Sequence, residues 1–186
     1  MLMSMTTAKG KRGFTLVELI VSVALFTIVI TIAASAYLSL ISLNRKARAT
    51  NDLVSNLSYV VDAMSRSIRT GTNYQCGGPG GTNCANGNSA ITFINDASST
   101  ITYLLKPGGI IGQCTGSPCT TSSADPLTDS RITVTNLQFY VQGVGTGDST
   151  QPRVLFTLSG TIKPDTQTAT TSFTIESSAT QRLIEL

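Results

Sequence analysis

The sequence predicts an α+β protein in which one long N-terminal α-helix packs on a C-terminal antiparallel β-sheet. Two observations predict this fold. No proline or glycine occurs in residues 14–70, and the apolar residues there are first continuous and then confined to one side of a helix. After Gly71, short alternating or β-branched runs are separated by polar turns, which is typical of strands.

The composition argues against several kinds of active site. The 186 residues include no histidine and no tryptophan, so the chain alone cannot form a Ser-His-Asp triad, a Cys-His dyad or a histidine-ligated metal or haem site. Its 13 basic and 10 acidic residues give a formal charge of +3, and Lys9, Lys11 and Arg12 account for that excess. We therefore expect neither an enzyme nor a typical cationic nucleic-acid binder.

The first predicted element is a membrane-spanning helix over residues 14–43, in which Glu18 is the only charged residue. At 1.5 Å per residue, thirty residues form about 45 Å of helix, more than the roughly 30 Å hydrocarbon core requires. Basic residues flank the stretch, namely Lys9, Lys11 and Arg12 before it and Arg45, Lys46 and Arg48 after it. The short basic start predicts a cytoplasmic N-terminus, although the second cluster makes this signal less one-sided.

A secretory signal peptide is the alternative interpretation of this region. Residues 34–36, Ala-Ser-Ala, fit a small-x-small cleavage site. However, such peptides have an apolar region of about 7 to 15 residues, and here the region is longer, contains Glu18 and continues as a helix past the site. Ordinary signal cleavage is therefore the less favoured of the two interpretations.

Residues 11–18, KRGFTLVE, resemble the class III signal of type IV pilins and pseudopilins, in which a short basic leader and a glycine precede a long apolar helix. The resemblance implies that a prepilin peptidase cuts between Gly13 and Phe14 on the cytoplasmic side and methylates the new amino terminus. Residues 1–13 would then be a leader peptide, and Phe14 would begin a mature chain of 173 residues.

Glu18 is an acid in an otherwise apolar helix, where an ionised side chain is unfavourable unless it is paired or near the interface. One interpretation is local, since a negative charge stabilises the first turn through the helix dipole. The resemblance implies another, in which Glu18 pairs with the Phe14 amine of a neighbouring subunit during filament assembly. We favour the assembly role because an unpaired charge in a filament core would be strongly unfavourable.

The same helix carries a stripe of small hydroxyl side chains. Thr27, Thr31, Ser35, Ser39 and Ser42 fall within an arc of about 120° when each residue turns the helix by about 100°. Two interpretations remain open. The stripe allows close helix–helix contact in a bundle, or the hydroxyls bond the carbonyls of their own helix.

Residues 44–70 are predicted to continue the helix in amphipathic form. The apolar side chains of one arc of about 120° are Leu53, Val54, Leu57, Val60, Val61, Met64 and Ile68. The simplest interpretation is one helix of about 57 residues and about 85 Å, with Gly71 as its C-terminal cap. We expect the apolar arc to cover a β-sheet.

Residues 71–186 are predicted to form a β-rich extracytoplasmic head domain. The predicted strands are residues 90–94, 101–105, 132–141, 153–162 and 172–176, with turns at 95–100 and 163–165. They would form one antiparallel sheet of four or five strands, with one face on the helix. Helix first and sheet afterwards is also the architecture that the resemblance implies.

Four cysteines lie in this predicted head domain. An oxidising compartment and an even count favour disulfides, and we favour the local pairs Cys76–Cys84 and Cys114–Cys119. Three pairings are possible in principle, and crossed ones would tie the two loops together. A four-cysteine zinc site is the rival, but the spacings C-x7-C and C-x4-C depart from common zinc motifs. We therefore predict no metal and no cofactor.

Two acidic residues, Asp125 and Asp129, lie in a Ser/Thr-rich stretch with a proline between them. We expect both to be solvated surface groups. Their spacing does not support a calcium site.

The resemblance implies a structural subunit of a type IV pilus-like filament, most like a minor pilin or minor pseudopilin. It would be held in the cytoplasmic membrane by one span, with its N-terminus inside, and polymerised through its apolar helix into an extracytoplasmic filament. The implied partners are a prepilin peptidase, other pilin subunits, an inner-membrane assembly platform with its ATPase, and membrane lipid before assembly.

The alternative is a binding module, at a pilus tip or tethered to the membrane, including a pseudopilin of type II secretion or competence. Its disulfide-bounded loops would contact a surface, DNA or a secreted substrate. The balanced charge does not support general attraction to DNA, but a local patch around Arg66 and Arg69 is left open. A membrane-anchored enzyme is a third and less favoured class.

Overall fold

The computed structural model describes residues 13–77, 84–144, 150–163 and 170–182. Helix α1 spans Leu16–Thr70 and is followed by antiparallel strands, so the predicted α+β class is confirmed. Two compact units meet between Asn44 and Arg45. The predicted leader, residues 1–13, lies outside the described residues except for Gly13.

The amphipathic part of α1 buries a narrower face than the sequence predicts. Its buried side chains are Leu53, Leu57, Val60, Met64 and Ile68. Val54, at the margin of the predicted arc, is 46% exposed, and Val61 is only partly buried against the core. The buried positions follow one another at intervals of three or four residues, the spacing that keeps side chains on one face of a helix.

The strands form two sheets, whereas the sequence analysis expects one. Their bounds are β1 Thr72–Cys76, β2 Ala90–Ile94, β3 Thr100–Lys106, β4 Ile110–Thr115, β5 Asp125–Pro126, β6 Ile132–Gln142, β7 Arg153–Ile162 and β8 Thr171–Thr180. One sheet has the order β1-β2-β3-β4-β5 and the other the order β6-β7-β8, and all neighbouring strands are antiparallel. The sequence pattern predicts β2, β3, β6, β7 and part of β8, but it does not predict β1, β4 or β5.

The two sheets are joined at the edge of β6 that does not pair with β7. Asn88 and Phe139 exchange backbone hydrogen bonds, at 3.0 Å from the Asn88 N–H and 2.7 Å from the Phe139 N–H. The Cys84 N–H donates to the Val141 carbonyl oxygen at 2.9 Å, and the Val134 N–H donates to the Gly109 carbonyl oxygen at 2.7 Å. The segment before β2 and the turn between β3 and β4 therefore cover the edge of the second sheet.

The core of the unit that begins at Arg45 is formed by the buried face of α1 and the inner faces of both sheets. Tyr74, Phe93 and Tyr103 pack in a row, with neighbouring ring centroids 5.9 Å apart. Burial raises the pKa of Tyr103, and a side-chain hydrogen bond with Ser67 of α1 opposes part of that rise. Buried aromatic side chains each contribute about 1.5–3 kcal/mol relative to exposure in water, so this row is a main link between helix and sheet.

Gly71 follows the helix for a reason different from the predicted one. Its φ lies outside the left-handed region that makes glycine the usual C-terminal cap, but a Cβ there would overlap the ring of Phe93. The Tyr74 hydroxyl instead satisfies the helix end, since its oxygen lies 2.6 Å from the carbonyl oxygens of both Ile68 and Gly71. The sequence pattern does not predict this role of Tyr74.

We expect Gly71→Ala to lower the free energy of unfolding by about 1–3 kcal/mol, because the added methyl group crowds a packed core. Thermal unfolding of the detergent-solubilised chain measures the change. Combining Gly71→Ala with Phe93→Leu should recover part of the loss, as expected for two residues in contact. Additive effects of the two substitutions would contradict this explanation.

Candidate functional site

The N-terminal end of α1 is capped by Thr15. The Thr15 Oγ1 accepts a hydrogen bond from the Glu18 N–H at 3.3 Å, and the Leu19 N–H donates to the Thr15 carbonyl oxygen at 3.2 Å. Thr15 is thus the N-cap and Glu18 the third helical residue, the spacing of a capping box. Thr15 is not among the predicted site residues, although the T-x-x-E pattern identifies it as an N-cap.

Glu18 lies in the first turn of the helix, and its residue is exposed. A carboxylate at this position interacts favourably with the N-terminal end of the helix dipole. The local interpretation of Glu18 therefore has a geometric basis in the fold. Its pairing with the Phe14 amine of a neighbouring subunit stays a prediction.

The predicted cleavage site lies in a short non-helical stretch before α1. Gly13, Phe14 and Thr15 have no regular secondary structure, and Phe14 is 80% exposed. A Cβ placed on Gly13 would meet no atom within 4 Å. The fold therefore leaves the Gly13–Phe14 peptide bond accessible and does not itself require glycine at position 13. A requirement for glycine would have to come from the enzyme that cuts there.

The first part of α1 exposes a large apolar surface. Seventeen large apolar side chains within residues 14–43 are between 51 and 80% exposed. The helix contains an 18-residue window that is long and apolar enough to cross a membrane, and no residue of that window is buried. Soluble monomers rarely expose contiguous apolar patches larger than a few hundred Å². The exposed surface therefore has the length and composition of a membrane-spanning segment.

The hydroxyl stripe of the helix bonds its own backbone. Thr27, Thr31, Ser35 and Ser42 each donate to a carbonyl oxygen three or four residues earlier, at 2.7–2.8 Å. Of the two interpretations of the stripe, the structure shows the one in which the hydroxyls bond the carbonyls of their own helix. With these protons already used, the hydroxyls offer another helix their small size and acceptor lone pairs.

The cysteines form two local pairs. The Cys76 and Cys84 sulfurs are 2.03 Å apart, and the Cys114 and Cys119 sulfurs are 2.00 Å apart. The first pair joins the end of β1 to the segment that covers β6. Residues 78–83, within the first cysteine loop, lie outside the described residues. Within the described ranges, no group of three or more His, Cys, Asp or Glu side chains is placed to hold a metal ion.

Asp129 is a paired residue, which corrects the expectation that it is a solvated surface group. Its carboxylate accepts bonds from the Arg131 side chain at 2.9 Å from Nε and 2.8 Å from Nη2, and from the Arg131 backbone N–H at 2.9 Å. These bonds lower the pKa of Asp129 to about 2. The Asp129 N–H donates to Asn56 Oδ1 of α1 at 3.1 Å. Asp125 is exposed on β5, as expected.

Of the two arginines in the suggested basic patch, Arg66 lines a groove of about 490 Å³ formed by α1 and the turn after β2, and Arg69 is not among its lining residues. Arg66 lines it together with Asp62, Asp96 and Tyr59. Because two acids share the groove with one base, its charge is mixed. The groove therefore gives no particular support to binding of a phosphate backbone.

A protein-family model described as the prokaryotic N-terminal methylation motif matches residues 8–34. The chain carries a type IV pilin-like class III signal. The motif supports membership of the type IV pilin and pseudopilin family and implies processing by a prepilin peptidase and assembly with other pilins. Together with the exposed apolar helix, it indicates a membrane-anchored pilin-like protein. Comparisons with curated proteins and with solved structures find no match.

The pairing of Asp129 in this pilin-like chain predicts a pH dependence of stability. The folded-state pKa lies near 2 and the ordinary value is 3.8. The Asp129 contribution is therefore complete above about pH 4 and lost as the pH falls towards 2. We expect Asp129→Asn to be less stable than wild type at pH 7, by up to about 1 kcal/mol for such a partly exposed pair.

Denaturant unfolding of the full chain in detergent, at pH 7 and at pH 2.5, measures this difference, which should shrink at the lower pH. Asp125→Asn is the matched control, because the structure gives no ion pair to Asp125 within the described residues. A difference between wild type and Asp129→Asn that is the same at both pH values would contradict the assignment.

Proposed function

We propose that this chain is a structural, non-enzymatic subunit of a type IV pilus-like filament, processed by a prepilin peptidase and assembled through α1. One observation carries the proposal. The methylation motif leads directly into a helix whose apolar side chains are all exposed over residues 14–40. Such a surface suits a subunit that lies first in lipid and then among other apolar helices.

The proposed course begins in the cytoplasmic membrane, with the N-terminus inside and the β-rich unit outside. The peptidase cuts between Gly13 and Phe14 and methylates the Phe14 amine, which keeps its positive charge at neutral pH. An inner-membrane platform with its ATPase then moves the helix from lipid into the filament. The exposed, non-helical stretch at residues 13–15 supports the first step, since a protease needs an accessible peptide bond.

The assembly role of Glu18 follows from its surroundings in the proposed filament. Once other apolar helices replace lipid headgroups and water, an ionised carboxylate without a partner is strongly unfavourable. The capping arrangement places first-turn N–H groups and the helix dipole near it, but neither supplies a full positive charge. The Phe14 amine of a neighbouring subunit would supply that positive charge. Pairing these two charges would fix the register of one helix against the next.

The N-terminus of the mature protein tests the processing step. We expect mass spectrometry of the protein isolated from cells to find a chain that begins at methylated Phe14. Gly13→Leu should leave the chain uncut, although the fold has room for the side chain, because the requirement for glycine belongs to the peptidase. A natural chain that keeps Met1 or begins at Tyr37 would contradict the proposal.

Substitutions at the helix start test the assembly step. Glu18→Gln keeps a side chain that suits a capping box but removes the charge. We expect it to be cleaved normally and to enter sheared filaments about tenfold less than wild type or worse, as measured by immunoblot of filament and membrane fractions. A tenfold loss corresponds to about 1.4 kcal/mol.

Thr15→Val is the matched control for this experiment, because it removes the capping hydroxyl and keeps the acid. We expect it to be incorporated nearly as well as wild type. If Glu18→Gln is cleaved and incorporated normally, or if both variants fail equally, the charge-pairing role of Glu18 is wrong.

A further inference from the structure

The two sheets have four edge strands, and three of these edges are protected. Strand β5 has only two residues. Strand β1 has five, with an irregular register between Thr72 and Gln75 and a left-handed backbone at Asn73, where φ is 55°. The edge of β6 is covered by backbone bonds to Cys84, Asn88 and Gly109. Short length, irregularity and covering segments are the usual ways in which proteins block unwanted strand pairing.

The fourth edge, β8, lacks each of these protections. It is ten residues long and pairs with β7 without a register shift, from Arg153↔Thr180 to Ile162↔Thr171. It contains no proline and no lysine, and Glu176 is its only charged residue. Within the described parts of the chain, no strand pairs with its other side. The edge therefore presents a regular row of backbone donors and acceptors to the surroundings.

The two faces of β8 show what a covering strand would meet. On the inner face, Phe173 and Ile175 are only partly buried, whereas Leu158, opposite Ile175 on β7, is fully buried. On the outer face, the side chains are exposed, namely Ser172, Thr174, Glu176, Ser178 and Thr180. A further strand would cover the remaining apolar surface of Phe173 and Ile175 and would bring an outer side chain beside Glu176.

We propose that the β8 edge binds an extended segment of a different protein as an added strand, with a lysine or arginine beside Glu176 and apolar side chains on the inner face. Backbone hydrogen bonds along the edge would supply binding that does not depend on sequence. Glu176 and the half-buried pair Phe173 and Ile175 would supply the preference for one sequence over another.

A second copy of this chain is a poorer occupant. Since the other sheet edges of the described residues are protected, the sheet edge that a copy could offer is its own β8, in a two-fold antiparallel pair. The two β8 strands would have to overlap along their full length and keep their inner faces on the same side. In that arrangement Glu176 lies directly opposite Glu176 of the copy or two residues away from it. Like charges at such positions are destabilising. If the proposed filament has all subunits pointing in one direction, it also contains no such two-fold axis. Only this last point rests on the proposed function.

The test uses the full chain in detergent and fluorescent peptides of nine residues. The probe TVTVKVTVT puts valines on one face and a central lysine on the other, and TVTVEVTVT is its charge-reversed partner. We expect the lysine peptide to bind about three- to tenfold more tightly than the glutamate peptide, the size of effect that cross-strand charges produce. Glu176→Lys should reverse this preference, and Glu176→Gln, a milder change, should abolish it.

Two N-methylated forms of the lysine peptide test the binding mode. Methylation of alternate amides on one edge of the peptide removes the donors that face β8, and methylation of the other set leaves them intact. We expect only one form to lose binding, with β8 amides protected from hydrogen exchange when the unmodified peptide binds. Equal binding of both forms, unchanged charge preference in Glu176→Lys, or no binding would overturn the proposal.

Sedimentation of the chain without peptide tests whether a second copy of the chain occupies the β8 edge. A concentration-dependent dimer with protected β8 amides would assign the edge to a second copy and would overturn the proposal. These measurements are separate from those of the proposed function. A chain that is never cleaved after Gly13 can still bind the peptide, and a chain that is cleaved and assembled can still fail to bind it.

Discussion

The apolar surface at the start of α1 dominates the energetics of this protein. Seventeen large side chains that are each more than half exposed correspond to tens of kcal/mol of unfavourable hydration, at about 1.5–3 kcal/mol for each large side chain. No capping bond or surface ion pair is comparable, since such interactions contribute about 1 kcal/mol each. In the proposed course, lipid covers the helix first and other apolar helices cover it later.

Moving such a helix from lipid into a bundle gains little from the hydrophobic effect, because both surroundings are apolar. The difference must come from close packing and from polar groups. The described hydroxyls donate within their own helix, so they affect packing mainly through their size. Glu18 is the one charged side chain in residues 14–43. In the proposed assembly, the energy of Glu18 would differ most between a wet interface and a dry bundle, so Glu18 would be the group best able to set helix register.

The sequence predicts those features that depend on local spacing and composition. The long helix, the buried face from Leu53 to Ile68 and the strong strands β2, β3, β6 and β7 follow from periodicity. The T-x-x-E capping box is equally local and can be recognised from the sequence. Strand β4 cannot be recognised from the sequence, because Gly112 and Gln113 weaken its strand pattern and its place depends on pairing with β3. Glycine at 112 fits because a Cβ there would approach Ala124 and the Lys106 side chain.

Other features depend on contacts between distant segments and cannot be read from one stretch of sequence. Tyr74 caps the helix only because β1 turns back beneath its last turn, and Gly71 is needed only because Phe93 packs there. The segment at residues 84–88 covers the edge of β6 with backbone hydrogen bonds, which carry no side-chain signature in the sequence. The open edge at β8 also depends on long-range pairing, because it is defined by which strands pair in the two sheets.

The helix surface and the β8 edge differ in the kind of selectivity that they offer. Apolar helix contacts are non-directional and suit any helix of similar shape, so they provide cohesion but little discrimination between related subunits. A sheet edge fixes the direction and register of its partner, because each added hydrogen bond requires the previous ones to be aligned. If the chain works as proposed, the helix would join a common assembly and the β8 edge would accept one particular neighbour.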